Sequence, residues 1–212
     1  MAFNPLMASV VADIKGRSVC EFGNQRYMGP GGFQSTKAYY ESLGYERYVA
    51  LDVNEAMDAI IVDLNEPVDL GETFDLVTNN GTGEHIFDQR RVFENAHNLS
   101  HGHIVNILPM GPWVNHGFFN FNPILFRDLA FANRYKSHIW IANRWGESVD
   151  LSLDELFREK RPKSLEKAMD HIPGDVSVVA VFEKTSSEPF RLPFQGKYQQ
   201  DIQDAGLRVR YG

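Results

Sequence analysis

The residues best equipped for chemistry are Glu84 and His85, adjacent in "NNGTGEH", and His116 in "WVNHGFFN". Histidine ionises near neutrality, so His85 or His116 can take the proton of an acceptor hydroxyl or ammonium, and Glu84 is a third candidate base. Trp113, Asn115, Phe118, Phe119 and Asn120 are candidate walls, because two consecutive Phe in a loop carrying Gly and Asn are costly to leave in water. The bland alternatives are a helix-start position for His85 and a helix N-terminal acid, favoured by the macrodipole, for Glu84. Glu84, His85 and His116 are also conceivable metal ligands. No tight His or carboxylate spacing supports that, so no metal is expected. His97, His101 and His103 surround a turn and are expected in solvent, Cys20 in the core, and Trp140 and Trp145 in packing roles.

A second set consists of acids that end three successive apolar runs: Glu21 in "SVCEF", Asp52 in "RYVALDV" and Asp63 in "AIIVDL". Strand ends often meet turns, where Asp and Glu are common, so one such acid alone decides little. Three in succession suggest a shared ligand. A carboxylate after the second run can accept hydrogen bonds from the two adjacent hydroxyls of a ribose, and one after the third can reach an adenine amino group. The fourth run, "FDLVTNN", opens into a polar loop whose Asn79, Asn80 and Gly81 can meet an amino-acid end or a second substrate; Gly81 and Gly83 permit close approach.

These side chains need a frame. Apolar strand-like runs alternate with helix signals: a helix over about 34 to 43 ended by Gly44, and a face of Val92, Phe93, Ala96 and Leu99 ended by a turn at 100 to 102. "HIVNILP" is a fifth strand, Asn122 and Pro123 cap a further helix, and "SHIWIAN" is a sixth strand. Ser152 with Glu155 forms a capping box, Pro162 separates a second helix near 164 to 171, and "VSVVAVFEK" is the last strand. "GNQRYMGPGGF" reads as a loop, and the tail from about 186 as mostly irregular. Strands that are continuous apolar runs belong to a mostly parallel sheet covered on both faces, a doubly wound α/β fold in one domain spanning 1–212. Ligands of such sheets sit beyond the carboxyl ends of the strands.

The chain has 212 residues, 43% apolar and 23% charged, with a net charge of −7. That balance, without a run of Lys and Arg, argues against nucleic-acid partners. The single Cys20 excludes an internal disulfide framework and fits a reducing compartment. No stretch reaches the roughly 18–20 apolar residues of a membrane span, and the first residues lack a basic region followed by an apolar core. A cytoplasmic protein without a membrane partner is the expectation; oligomeric state is not legible.

The order of strands and acids resembles that of class I S-adenosylmethionine-dependent methyltransferases, over roughly 18 to 184. "VCEFGN" resembles the family's first motif, "VALDVN" the acidic end of the second strand and "VDLN" the adenine-side motif. "FDLVTNNGTGEHI" resembles the fourth-strand motif, whose loop faces the methionine part and the acceptor, and "NLSHGHIVNILP" the helix, Gly turn and fifth strand after it. The resemblance implies a seven-stranded Rossmann-like sheet with the last strand antiparallel. It also implies S-adenosylmethionine bound by Glu21, Phe22, Gly23, Asn24, Asp52, Val53, Asp63, Leu64, Asn79, Asn80 and Gly81. The acceptor would be a small molecule, served by His116, His85 and Glu84. In one respect the chain departs from the family: alternate Gly usually follow the first acid, whereas Gly23 is followed by Asn24, Gln25, Arg26 and Tyr27. A nicotinamide oxidoreductase, which needs Gly-x-Gly-x-x-Gly against a pyrophosphate, is the weaker alternative. A non-catalytic module of the same fold that binds S-adenosylmethionine or a nucleoside is the other.

Overall fold

The computed structural model describes residues 2–111, 113–152 and 174–211, with 155, 163, 166 and 170 between them. Its elements in chain order are β1 (Ala2–Phe3), α1 (Pro5–Ala12), β2 (Ser18–Phe22), β3 (Arg26–Tyr27), α2 (Thr36–Ser42), β4 (Arg47–Asp52) and β5 (Ile60–Ile61). There follow β6 (Phe74–Asn80), α3 (Gln89–Leu99), β7 (Ser100–Gly111), α4 (Pro123–Asn133), β8 (Lys136–Asn143), β9 (Ser148–Asp150), β10 (Val176–Glu183) and α5 (Ala205–Tyr211).

The main sheet has the order β5-β4-β2-β6-β7-β10-β8-β9. The first five of these run parallel. β10 inserts antiparallel between β7 and β8, as expected of the last strand. The sheet has eight strands rather than seven because β8 turns back into β9. Asn143 closes that turn, its Oδ1 accepting from the N–H groups of Trp145 and Glu147. Three residues on an edge leave too short an alternation for a sequence pattern to reveal.

Side chains alternate across each strand, and both faces are apolar. Cys20, Phe22, Val77 and Ile104 point to the face covered by α3 and α4, where Val92, Phe93, Ala96, Leu99, Phe126 and Leu129 meet them. Val19, Leu76, Val105 and Val179 point to the other face, beneath α1 and α2. Burying a Phe such as Phe126 contributes about 2–3 kcal/mol, so this two-sided cover dominates the fold. The sequence reading overlooked α1, although Asn4-Pro5 carries the same signal as Asn122-Pro123. Asn4 accepts from the Met7 N–H and Asn122 from the Ile124 N–H, with Pro in the first turn of each helix.

The loop after β2 is not wholly irregular. Arg26 and Tyr27 pair in parallel with Ala2 and Phe3, and Tyr27 stacks on Phe3 at 5.6 Å. The tail after β10 has no regular structure until a 3-10 segment over Gly196–Asp201 and then α5. Glu155 donates its N–H to Ser152 Oγ at 3.3 Å, as a capping box requires; Pro162 and the helix expected near 164 to 171 lie outside the described residues.

Candidate active site

β2, β4 and β6 lie side by side, so their carboxyl ends deliver Phe22-Gly23, Asp52 and Asn80-Gly81 to one edge of the sheet. The loops there are bonded to one another. Asp52 Oδ2 accepts from the Asn24 N–H at 2.7 Å, and Oδ1 from the Val53 N–H and the Asn54 amide. Two donors fill Oδ1, while Oδ2 keeps a lone pair uncommitted. Gly23 has φ +83°, and a Cβ there would lie 2.2 Å from Thr82 Oγ1. The Thr82 hydroxyl donates to the Phe22 carbonyl at 2.7 Å and binds the loop after β6 to the loop after β2. Glycine is required at 23 for both reasons.

Gln25, where the family usually has a second Gly, is fully buried. Its Nε2 donates to the Asn80 carbonyl at 2.7 Å, whereas its Oε1 and both ends of the Asn80 amide have no hydrogen-bond partner. Each buried polar atom left unpaired costs on the order of 1–3 kcal/mol, and native folds contain few. Three of them stand together here, at the end of β6 and in the loop after β2.

The remaining expected contacts fare unevenly. Asn79 uses its amide internally, accepting from the Gly83 N–H at 2.8 Å and donating to Asn106 at 3.1 Å, which leaves one lone pair and one N–H of it uncommitted. Phe22 and Leu64 send their side chains into the core, and the Phe22 carbonyl is taken by Thr82. Val53 is 72% exposed at the rim. Asp63 is exposed and held below the usual carboxylate range by the Asn65 N–H and amide, apart from the Asp52 network. Glu21 is fully buried on the α1–α2 face, accepting from Tyr48 Oη at 2.6 Å; burial pushes it up to about 8. At neutral pH it is protonated, and no anionic role falls to it.

Beyond Gly81 the chain makes a 3-10 turn over Gly83–His85, and α3 starts only at Gln89, capped by Asp88. Glu84 and His85 therefore belong to this short 3-10 turn and do not begin α3 as expected. Glu84 is 1% exposed, Oε2 has no partner, and burial pushes it up to about 7 against the pull of its own N–H. His116 Nε2 stands 3.5 Å from Glu84 Oε1, and His85 Nε2 3.8 Å from the same atom. The two imidazoles are 5.2 Å apart, and His116 lies against Trp113 at 4.8 Å. Burial and the neighbouring His116 hold His85 below its usual value. The loop over 113–119 is tied to the turn by backbone: the Phe118 and Phe119 N–H groups donate to the Glu84 carbonyl at 2.8 and 3.3 Å. Phe87 and Phe118, both largely exposed, meet edge to face at 6.3 Å outside this group, with half-buried Phe119 beside Phe87.

Other expectations need correction. His97 is buried, bonded to Tyr135 Oη at 2.6 Å and the Glu188 carbonyl at 2.9 Å, rather than solvated. His101 is exposed and pairs with Asp75 at 3.0 Å. Trp145 is 71% exposed, not packed. Cys20 is fully buried and burial pushes its thiol up, as a core residue requires. A cavity of about 270 Å³ lined by His97, Asn133, Arg134, Glu188 and Arg191 opens at the opposite, amino-terminal edge of the sheet, away from these groups.

Comparison with solved structures places this architecture. The N-methyltransferase NodS from Bradyrhizobium japonicum, in complex with S-adenosylhomocysteine, superposes with a TM-score of 0.51 at 14% identity, over 86% of this chain and 89% of NodS. StiE O-MT gives 0.52 at 13%, over 86% and 74%. The plantazolicin methyltransferase BpumL, also bound to S-adenosylhomocysteine, gives 0.51 at 9%, over 85% and 80%. The fold is that of the class I methyltransferases. No protein-family model matches the sequence, and neither does any curated protein. Among the described residues no helix is long and apolar enough to cross a membrane.

Proposed function

We propose that the chain is an enzyme that transfers the methyl group of S-adenosylmethionine to a small-molecule acceptor. One observation carries the reading: Gln25 Oε1 and both ends of the Asn80 amide are buried without a hydrogen-bond partner, and Asn80 stands four positions before Glu84, whose carboxylate has His85 and His116 within 4 Å. On this fold that edge is where S-adenosylmethionine-type ligands meet their acceptors. Asp52 takes the ribose hydroxyls through Oδ2, and Gln25 and Asn80 take the polar end of the methionine portion. Gly23, Asn24 and Gly81 supply close backbone.

In methyl transfer a lone pair of the acceptor attacks the methyl carbon in line, the carbon–sulfur bond breaks, and the sulfonium becomes a neutral thioether. The carbon is already activated, so fixing donor and acceptor in attack geometry supplies much of the rate. A hydroxyl or ammonium acceptor also loses a proton, for which His116 is the best placed base: exposed on one side and backed by Glu84 on the other. The aromatic rim of Phe87, Phe118 and Trp113 suits an apolar or aromatic body bearing one nucleophilic heteroatom. The acidic net charge speaks for such a molecule over nucleic acid, and the single Cys20 suits a reducing compartment such as the cytoplasm.

Calorimetry with S-adenosylmethionine, S-adenosylhomocysteine and NAD in parallel tests the reading. Micromolar binding of the first two and none of NAD is expected. Binding without turnover on a broad panel of hydroxylated and aminated aromatics would favour the non-catalytic module, which the Gln25 substitution also suits. Binding of NAD alone would overturn both.

A further inference from the structure

The sequence spacing of Glu84, His85 and His116 gives no reason to think of a metal, yet the fold gathers them. All three ligand atoms lie within 4.8 Å of one another. Two imidazoles and one carboxylate form the donor set of catalytic zinc sites, which keep a further position open for water or substrate. With metal–ligand bonds of about 2.1 Å, tetrahedral ligands stand roughly 3.4 Å apart. The Glu84–His116 separation is already 3.5 Å and the Glu84–His85 separation 3.8 Å. The third separation, between the two imidazoles, is within 4.8 Å, so closing the group around an ion takes movement of about an ångström from two imidazoles that are both partly exposed.

A second, independent observation points the same way. The Glu84 carboxyl is almost wholly buried, and its Oε2 has no hydrogen-bond partner. Among the described residues no Lys or Arg pairs with it; the two histidines are its only ion-pair neighbours. The chain also invests in holding the third donor in place. Gly117 presses against Glu84, where an added Cβ would stand 2.9 Å from both the carbonyl oxygen and Cγ, and Asn115 adopts φ +61° to bring the loop round. Asn is among the residues that adopt this left-handed conformation most readily, so the loop turns there at little cost.

We propose that Glu84, His85 and His116 bind one divalent cation of the borderline class, zinc or a neighbouring first-row ion, at the acceptor end of the site. Nitrogen donors exclude magnesium and calcium, which take oxygen ligands. This deepens the methyl-transfer reading and rests on it only for the ion's task. With the ion bound, an acceptor hydroxyl coordinates at the open position and releases its proton to water, so His116 acts as ligand rather than base. The oxygen lone pair then forms the new bond to the methyl carbon as the carbon–sulfur bond breaks.

The test titrates zinc into the full chain, stripped with a chelator, by calorimetry, and records the visible spectrum of the cobalt(II)-loaded chain. One site per chain and a cobalt band typical of low coordination number are expected. His116→Ala and Glu84→Gln should each weaken zinc at least tenfold and alter the cobalt band. Gly117→Ala, which leaves all three ligands present but displaces the loop, should weaken it too. His101→Ala and His138→Ala, at surface His–Asp pairs, should leave it unchanged. Melting curves confirm that each variant is folded. Failure of the native chain to bind zinc, or equal binding by His116→Ala, overturns the proposal. Both measurements omit S-adenosylmethionine, so metal binding without methyl transfer refutes only the function, and methyl transfer in the presence of excess chelator refutes only the metal.

Discussion

Asp52 and Glu21 are both acids at strand ends, and the fold gives them opposite tasks. Asp52 is oriented by three donors and keeps a lone pair for a ribose hydroxyl. Asp52→Ala should remove about 1.5–3 kcal/mol of charge-assisted bonding, a ten- to hundredfold loss of S-adenosylhomocysteine affinity in a folded protein. Asp52→Asn should lose less, and Asp63→Ala, at an exposed carboxylate outside that network, less again. Glu21, in contrast, is a buried acid kept neutral. Its folded pKa of about 8 exceeds the unfolded value, so its contribution to stability is complete below about pH 4.3 and is lost as pH rises towards 8. Glu21→Gln retains an acceptor for Tyr48 and cannot ionise. Its melting temperature should gain on the native chain as pH rises from 5 to 8, by about 2–4 °C for each kcal/mol recovered. A constant difference across that range would mean that Glu21 does not titrate on folding. At the acceptor end, His116→Ala should lower turnover by roughly 10²–10⁴ with S-adenosylhomocysteine affinity nearly unchanged, whether the residue is base or ligand. His85→Ala should cost less, since it stands farther from Glu84. Full turnover in both would leave positioning as the only catalyst.

Elements set how closely these residues meet. The junction of α3 and β7 shows it at the far edge of the sheet, where Asp75 Oδ2 accepts from the N–H groups of Arg17 and Ser18. A Cβ on Gly102 would stand 2.3 Å from the Asp75 backbone oxygen, and backbone cannot move aside cheaply. Gly102→Ala should therefore cost about 1–3 kcal/mol in urea unfolding while leaving ligand affinity in the folded fraction intact, because the site lies at the other ends of these strands. The loop over 23–33, legible as Gly-rich, is a candidate cover for the cofactor. Its Tyr27 is fastened by Phe3, Phe33 and Tyr39, and the segment around Gly29 to Gly32 is held to it at one point, the Tyr27 hydroxyl donating to the Pro30 carbonyl at 2.6 Å. Cleavage there by a protease should slow when S-adenosylhomocysteine is added. Equal rates with and without it would make the segment an ordinary exposed loop.

At the scale of the whole molecule, the parallel order β5-β4-β2-β6-β7 brings to one edge strand ends far apart in the sequence, so that Thr82 binds Phe22 across 60 positions. The seven strands that lie in apolar runs, the two-sided core and the candidate acids followed from the sequence, because apolar runs, caps such as Asn122-Pro123 and turn residues are local signals that need no partner, whereas the two- and three-residue strands β1, β3 and β9 left no such signal. The antiparallel last strand came from family resemblance, since strand direction leaves no mark on composition. What the tertiary structure alone decided concerns contacts across the chain. Glu21 and Asp52 look alike in sequence, and only their neighbours make one a neutral core acid and the other an oriented carboxylate. Asn79 and Asn80 are adjacent, yet alternation across the strand spends one amide on Asn106 and leaves the other unpaired. Gln25 gave no signal beyond a missing glycine. Glu84 and His116 are 32 positions apart, and no spacing rule joins them; the Phe118 and Phe119 N–H groups bonded to the Glu84 carbonyl do.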